Sequence, residues 1–130
     1  LKAAVEELAS ALEARGQKVS VFDLARDDMA EAVEDAFRYD RLVLASITYQ
    51  GEIFPFMSTF IHTLAEHAYQ NRTVALVEAG SWAPTAAKVM TKELEGMKDI
   101  TLTQNKVTVL GSLNDASRAQ IEALADELSK

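Results

Sequence analysis

The feature that most constrains this chain is a regular alternation of short apolar runs with helical patterns. The apolar runs lie at residues 18–24, 41–46, 73–79 and 106–110, and residues 100–103 are a candidate extension of the last one. Between them, apolar residues recur every three or four positions, as they do in amphipathic helices. Strands that alternate with helices form a parallel sheet covered on both faces. The sequence therefore predicts an α/β fold with three layers, a doubly wound parallel sheet between helices.

Five helical patterns flank the four strands. They cover residues 1–15, 28–37, 56–71, 84–95 and 115–128. Gly16 stands where the first helix should stop, and Pro55 and Pro84 stand where the third and fourth should start. With 130 residues, about half of them apolar, the chain is long enough for one core and too short for two ordinary domains.

Composition excludes several classes of function. Thirteen basic against twenty acidic residues give a net charge of -7, the wrong sign for a surface that follows nucleic-acid phosphates. The absence of cysteine excludes disulfides, zinc ribbons and thiol nucleophiles. His62 and His67 are five residues apart and so lie on different sides of a helix, which argues against a metal site. With no membrane-length apolar run and no signal peptide, we expect a soluble cytoplasmic protein without nucleic-acid or membrane partners.

Two of the strands end in loops suited to a flat ligand. The run 41–46 leads into Ile47-Thr-Tyr-Gln-Gly51, and the run 73–79 leads into Gly80-Ser-Trp-Ala-Pro84. In a parallel α/β sheet, ligands bind beyond the carboxyl ends of the strands. Each loop carries small or hydroxylic residues and one aromatic residue, Tyr49 or Trp82, which can lie against a ring. We therefore expect a planar heterocycle to bind between the two loops.

Residues 41–55 resemble a segment of the flavodoxin-like FMN domain of A-type flavoproteins, also called flavo-diiron proteins. The chain reads Ser-Ile-Thr-Tyr-Gln-Gly-Glu-Ile-Phe-Pro at 46–55, where that family typically shows Ser-Pro-Thr-Tyr-Asn-Gly-x-Ile-Phe-Pro. Residues 80–84 are similar to the family's third loop. The resemblance implies a flavodoxin-like sheet of strand order 2-1-3-4-5 with FMN as cofactor. It implies that the flavin ring is bound by Thr48, Tyr49, Gln50, Gly51, Gly80, Ser81, Trp82 and Ala83.

The resemblance also implies an oxidoreductase function and the partners that go with it. A flavodoxin-like domain of this family transfers electrons through FMN, so no side chain has to act as acid, base or nucleophile. The electrons pass to a diiron domain that reduces O2 or NO, or to another redox partner protein, and the family forms head-to-tail homodimers. The ligands of such a diiron centre are not found in this sequence, so any reductase activity would lie in another domain.

The first strand of that fold and its phosphate-binding loop have no counterpart in the sequence. In the order 2-1-3-4-5 this strand lies between residues 18–24 and 41–46. Without it, backbone groups at two buried strand edges would lack hydrogen-bond partners, at about 1–3 kcal/mol each. We therefore interpret residues 1–130 as an N-terminally incomplete flavodoxin-like domain, and we expect these residues alone to bind FMN poorly.

Other functions compete with electron transfer. A non-redox interaction module could keep this fold after losing FMN, and it would be colourless. A phospho-receiver domain needs an aspartate after the strand 41–46, which ends in Ala45-Ser46. A hydrolase is disfavoured because Ser81 is not within a Gly-x-Ser-x-Gly elbow.

Several candidate residues have a structural as well as a functional interpretation. Thr48 and Ser81 could cap a helix or donate to the flavin ring, and Gly51 and Gly80 could serve a turn or a close ligand approach. The acidic stretch 27–40 is interpreted as a solvated helix face, with steering of a basic redox partner as the alternative. Core packing is favoured over a docking face for four residues, Phe54, Phe56, Met57 and Phe60.

Overall fold

The computed structural model describes residues 1–48, 53, 55–80 and 84–130. Within these residues the helices are α1 (Lys2–Ala14), α2 (Met29–Arg38), α3 (Pro55–Glu66), α4 (Ala86–Leu94) and α5 (Asp115–Leu128). The strands are β1 (Arg41–Ile47), β2 (Arg72–Gly80), β3 (Ile100–Leu102) and β4 (Val107–Leu110). The predicted alternation of helices and strands is confirmed from residue 28 onward.

β2 is the centre of a parallel sheet. On one side β1 pairs with it from Arg41↔Thr73 to Ile47↔Ala79. On the other side β3 pairs with the beginning of β2 and β4 pairs with its end. β3 and β4 are therefore two halves of one edge strand, which confirms residues 100–102 as an extension of the last predicted strand.

Two apolar cores lie on opposite faces of the sheet. One face packs against α2, α3 and α4 and buries residues such as Leu64, Val74 and Met90. The other packs against α1 and α5 and buries Val77 and Leu124. β2 contributes alternate residues to the two cores, which explains why its sequence is almost continuously apolar. The predicted three layers are confirmed.

The predicted strand at residues 18–24 is wrong, because this segment forms no ladder with any strand in the described part of the chain. Its side chains nevertheless divide between the two cores. Val19 packs against the core under α1 and α5, whereas Phe22 and Leu24 pack against the opposite core. The β-branched pattern thus reports the burial of the segment correctly, but a strand also needs a neighbour that shares its hydrogen bonds.

Helix boundaries differ from the sequence patterns at two places. α3 ends at Glu66, before the predicted end near residue 71, because the chain turns back through Ala68 and Asn71, whose φ angles are 58° and 57°. α4 begins at Ala86, two residues after Pro84. The predicted stop of α1 is confirmed at Gly16, whose φ of 82° suits glycine.

Side chains of α5 cover the outer edge of β3 and β4. The Gln120 Oε1 accepts a hydrogen bond from the Thr108 N–H at 2.7 Å. The Glu127 carboxylate accepts from the N–H groups of Gln104 and Asn105, at 2.9 Å each. An edge strand covered in this way offers fewer free backbone groups to another chain.

The Glu127 carboxylate should contribute to the loss of folding stability at acidic pH. Burial alone would raise its pKa, but the hydrogen bonds from Gln104 and Asn105 outweigh burial and lower the pKa below its ordinary value. A carboxyl group whose pKa is lower in the folded than in the unfolded state stabilises the fold at pH values above the unfolded-state pKa. This stabilisation is lost as the pH falls through the folded-state pKa. We expect Glu127→Gln to flatten the acid limb of the unfolding free energy, measured by urea titration at several pH values. The exposed Glu6→Gln variant is the control, and an unchanged limb in Glu127→Gln would contradict the assignment.

The start of α5 is held by a capping box. The Asn114 Oδ1 accepts from the Ser117 N–H at 2.9 Å, and the Ser117 Oγ accepts from the Asn114 N–H at 2.9 Å. We expect Asn114→Ala to lower the free energy of unfolding by about 1 kcal/mol, measured by urea denaturation. The neighbouring exposed Ser112→Ala should leave it nearly unchanged, and equal losses in the two variants would show that the cap is not the cause.

Candidate functional site

The carboxyl edge of the sheet brings together the first residues of the two loops that the sequence singled out. β1 and β2 end side by side, with Ile47 opposite Ala79, and the Thr48 N–H donates to the Ala79 carbonyl at 3.0 Å. The first ring loop (residues 48–51) and the second ring loop (residues 80–83) therefore start from neighbouring strands at one edge. This is the position where parallel α/β sheets bind ligands.

The structure describes two of the eight residues predicted to bind the ring, Thr48 and Gly80. The other six lie outside the described residues, and they are Tyr49, Gln50, Gly51, Ser81, Trp82 and Ala83. The roles predicted for all eight remain predictions, and the described pair defines where each loop begins.

Thr48 connects the first ring loop to the start of α4. Its Oγ1 accepts hydrogen bonds from the N–H groups of Thr85 and Ala86, at 2.8 and 3.1 Å. Thr48, which follows β1, therefore caps α4, which follows β2. Capping a helix is one of the two roles that the sequence left open for this residue, beside ring binding. A hydroxyl that accepts two hydrogen bonds still carries one O–H donor, so capping and donation to a ligand are compatible.

Gly80 allows Pro84 to approach the end of β2 closely. A Cβ atom at this position would lie 3.0 Å from the Pro84 Cβ, closer than side chains normally approach. The Gly80 carbonyl also accepts from the Gly111 N–H at 2.9 Å, which ties the end of β2 to the end of β4. A side chain at residue 80 would require Pro84 to shift by a few tenths of an ångström.

Glu78 is a residue at this edge that sequence reasoning missed. It is only 3% exposed, and its Oε1 accepts from the Ala87 N–H at 3.0 Å. Its Oε2 accepts from the Thr108 hydroxyl at 2.9 Å and lies 3.4 Å from the Lys106 Nζ. The sequence did carry a signal for this residue, a single carboxylate inside an otherwise apolar strand. Because acidic residues are rarely buried unless they are paired, such a residue indicates specific partners.

Three backbone donors at the N-terminus of α4 are in use. The N–H groups of Thr85 and Ala86 bind Thr48, and that of Ala87 binds Glu78. Helix N-termini bind phosphate through such N–H groups. α4 therefore does not offer them to the phosphate of a nucleotide.

α1 and α5 run parallel, because Glu7 in the middle of α1 pairs with Arg118 in the first turn of α5, whereas Arg15, directly after α1, pairs with Asp126 in the last turn of α5. α5 follows β4 and so begins near the carboxyl edge. The N-terminus of α1 consequently lies toward the edge at which the two ring loops begin.

The remaining titratable candidates are structural or solvated. His62 and His67 are exposed on α3 and just after it, and the described residues contain no group of three His, Cys, Asp or Glu arranged to hold a metal. Burial raises the pKa of Tyr69 to about 12. Tyr69 packs edge-on against Phe37 at 5.0 Å, just before β2 begins. This position is at the amino edge of the sheet, away from the ring loops.

The aromatic residues near α3 divide between core and surface. Met57 and Phe60 are buried, as predicted, but Phe56 is 49% exposed, and Phe54 lies outside the described residues. The acidic residues of α2 and the segment before it are mostly exposed, which agrees with a solvated helix face. None of the described helices is both long and apolar enough to span a bilayer.

Comparison with solved structures identifies the architecture. The chain superimposes on an archaeal flavodoxin with a TM-score of 0.84 at 16% identity, covering 98% of this chain and 87% of that one. The fold is flavodoxin-like. Neither the protein families nor the curated proteins that were compared contain a match by sequence.

Flavo-diiron proteins are also among the structural neighbours. Rubredoxin oxygen:oxidoreductase from Desulfovibrio gigas matches with a TM-score of 0.90 at 16% identity, over 98% of this chain and 32% of that one. A flavo-diiron protein from Thermotoga maritima matches at 0.78 with 22% identity, over 98% and 32% of the two chains. The flavodoxin-like chain thus spans about a third of the length of these two proteins.

Proposed function

We propose that this flavodoxin-like chain is an FMN-binding electron-transfer domain. The observation that carries the proposal is that both ring loops start side by side at the carboxyl edge. Thr48 also links the first of them to the helix that follows the second. A crevice between two such loops suits a planar ring system. The structural likeness to flavodoxins and flavo-diiron proteins supports the same cofactor.

The described residues fit the ring side of FMN. Thr48 and Gly80 place the loops that would enclose the isoalloxazine ring, with Tyr49 and Trp82 as the aromatic residues that would pack against it. The remaining ring contacts would come from Gln50, Gly51, Ser81 and Ala83. The phosphate would bind near the N-terminus of α1, which lies toward the edge where the ring loops begin. When bound, the flavin supplies the one- or two-electron chemistry.

A further strand beside β1 is part of this proposal. The Thr73 N–H donates to the Asp40 carbonyl, and the Thr48 N–H donates to the Ala79 carbonyl. Because successive residues of a strand point their backbone groups to opposite sides, those of Val43 and Ala45 point away from β2. Among the described residues no strand pairs with them. We infer that a preceding strand of the protein fills this edge and carries the phosphate loop to α1.

The electron acceptor would be a diiron domain or a separate redox protein. Two of the compared proteins are named as flavo-diiron proteins or as a rubredoxin oxygen:oxidoreductase. A chain that spans a third of such proteins would correspond to one domain of a longer protein. The exposed acidic residues around α2 would steer a basic partner, and a cytoplasmic, homodimeric protein is the arrangement we propose.

A visible absorption spectrum before and after addition of FMN tests this function. Two samples are compared, residues 1–130 alone and the full-length protein with the segment that precedes them. We expect the full-length protein to bind FMN with quenched flavin fluorescence and residues 1–130 to bind it weakly. A full-length protein that stays colourless and does not quench FMN would contradict the proposal and favour an interaction module that lacks flavin.

A further inference from the structure

The buried carboxylate of Glu78 lies where β2, β4 and α4 meet at the carboxyl edge of the sheet. Its two oxygens bind α4 through Ala87 and β4 through Thr108, while Glu78 itself belongs to β2. Neither oxygen points to solvent, since the residue is 3% exposed. A buried carboxylate is costly unless it is paired and hydrogen-bonded, and here Lys106 supplies the opposite charge.

Ala87 lies in the first turn of α4, shortly after the second ring loop and Pro84. Its hydrogen bond to Glu78 therefore affects where that loop must end. Residues 81–83 connect Gly80, at the end of β2, to Pro84 and α4. Glu78 holds the helix side of this connection and Gly80 holds the strand side. The two ends of a loop this short determine the conformations open to the residues between them.

Thr48 holds the same helix N-terminus from the other side. It binds Thr85 and Ala86, the two residues directly before Ala87. The first turn of α4 is therefore attached to β1 through a hydroxyl and to β2 and β4 through a carboxylate. A shift of α4 would change the separation of the two ring loops.

We propose that Glu78 is a positioning residue for FMN, which sets the second ring loop by anchoring the first turn of α4 to β2 and β4. This inference rests on the proposed function and adds to it a residue outside the two loops. Glu78 touches no flavin atom in this scheme. It acts through the N–H group of Ala87 and through the spacing between α4 and the sheet.

Three substitutions separate positioning from charge and from general stability. Glu78→Ala removes both hydrogen bonds, whereas Glu78→Gln keeps an oxygen for the Ala87 N–H and an amide donor for Thr108. Thr108→Val removes one partner of the carboxylate without altering Glu78. Thr91→Val is the matched control, because the Thr91 hydroxyl donates to the Ala87 carbonyl within α4 and does not join the helix to the sheet.

The first measurement is FMN affinity in the full-length protein, from the quenching of flavin fluorescence. We expect Glu78→Ala to weaken binding by roughly tenfold and Thr108→Val by about threefold. Glu78→Gln and Thr91→Val should stay within about twofold of the unsubstituted protein. Equal affinities in all four variants, with FMN bound by the unsubstituted protein, would overturn the role of Glu78 and leave the proposed function intact.

The second measurement needs no flavin. Trp82 is the only tryptophan of the chain and lies in the second ring loop, so acrylamide quenching of its fluorescence reports on that loop in the apo protein. We expect quenching to change in Glu78→Ala and Thr108→Val, and to be restored in Glu78→Gln. Unchanged quenching in folded Glu78→Ala and Thr108→Val would refute the positioning role even if the protein binds no FMN. Circular dichroism in the far ultraviolet establishes whether each variant is folded. If Glu78→Ala does not fold, the result for Thr108→Val decides the test.

Discussion

In the full-length protein, the amide hydrogens of Val43 and Ala45 should exchange with solvent as slowly as those of Leu44 and Ser46. The two latter amides point toward β2 and are held by the ladder of β1 and β2. Those of Val43 and Ala45 point to the opposite side, where none of the described strands pairs with β1. A further strand at this edge would accept hydrogen bonds from Val43 and Ala45, so the amides on both sides of β1 would lie inside the sheet.

The expected effect is large because a central strand exchanges only when much of the domain unfolds. Protection in such strands approaches the global stability, about 5 kcal/mol or more, whereas free edge amides are protected far less. Hydrogen exchange followed by NMR measures each amide separately. Residues 1–130 alone are the control, in which Val43 and Ala45 should exchange much faster than Leu44 and Ser46. Fast exchange of Val43 and Ala45 in the full-length protein would show that no strand fills this edge.

Replacement of the loop aromatics should cause the largest losses of FMN affinity. Stacking of a planar nucleobase on an aromatic side chain contributes about 1–3 kcal/mol, and a flavin ring offers a similar surface. We expect Trp82→Ala and Tyr49→Ala each to weaken FMN binding by roughly 5- to 150-fold, the change that corresponds to that range. Fluorescence titration of the full-length protein with FMN measures the effect.

The control for these two variants is Tyr39→Ala. Tyr39 directly follows α2 and precedes β1, so it lies at the amino edge of the sheet, opposite the ring loops. This variant should bind FMN like the unsubstituted protein. If Trp82→Ala and Tyr49→Ala also retained full affinity, the two aromatics would not contact the ring, and the assignment of the ring loops would have to be revised.

The local pattern of the sequence determined most of the secondary structure. Apolar spacing predicted α5 with the observed bounds and β1 and β2 to within one residue at each end. Such elements follow from local periodicity and from burial on both faces. The parallel order of the strands then placed the two ring loops at one edge, which the register of Ile47 and Ala79 confirms.

The sequence did not determine features that depend on contacts between distant residues. Residues 18–24 have a strand pattern but form no ladder with the described strands, because a strand requires a partner whose position no local pattern encodes. Glu78 stands out in an apolar run, yet its three partners lie 9 to 30 residues further along the chain. Only the packing of α4 against the sheet brings them together.

The two kinds of information thus concern different parts of the proposed flavin site. The sequence by itself determined the class of fold and which strands lead into the two ring loops, since periodicity and loop chemistry are local properties. The tertiary structure alone decided how the start of α4 is attached to the sheet, through Thr48 and Glu78. It also decided which edge of β1 has no partner strand among the described residues. Hydrogen bonds between separate elements have no local signature, and they exist only once the chain has packed.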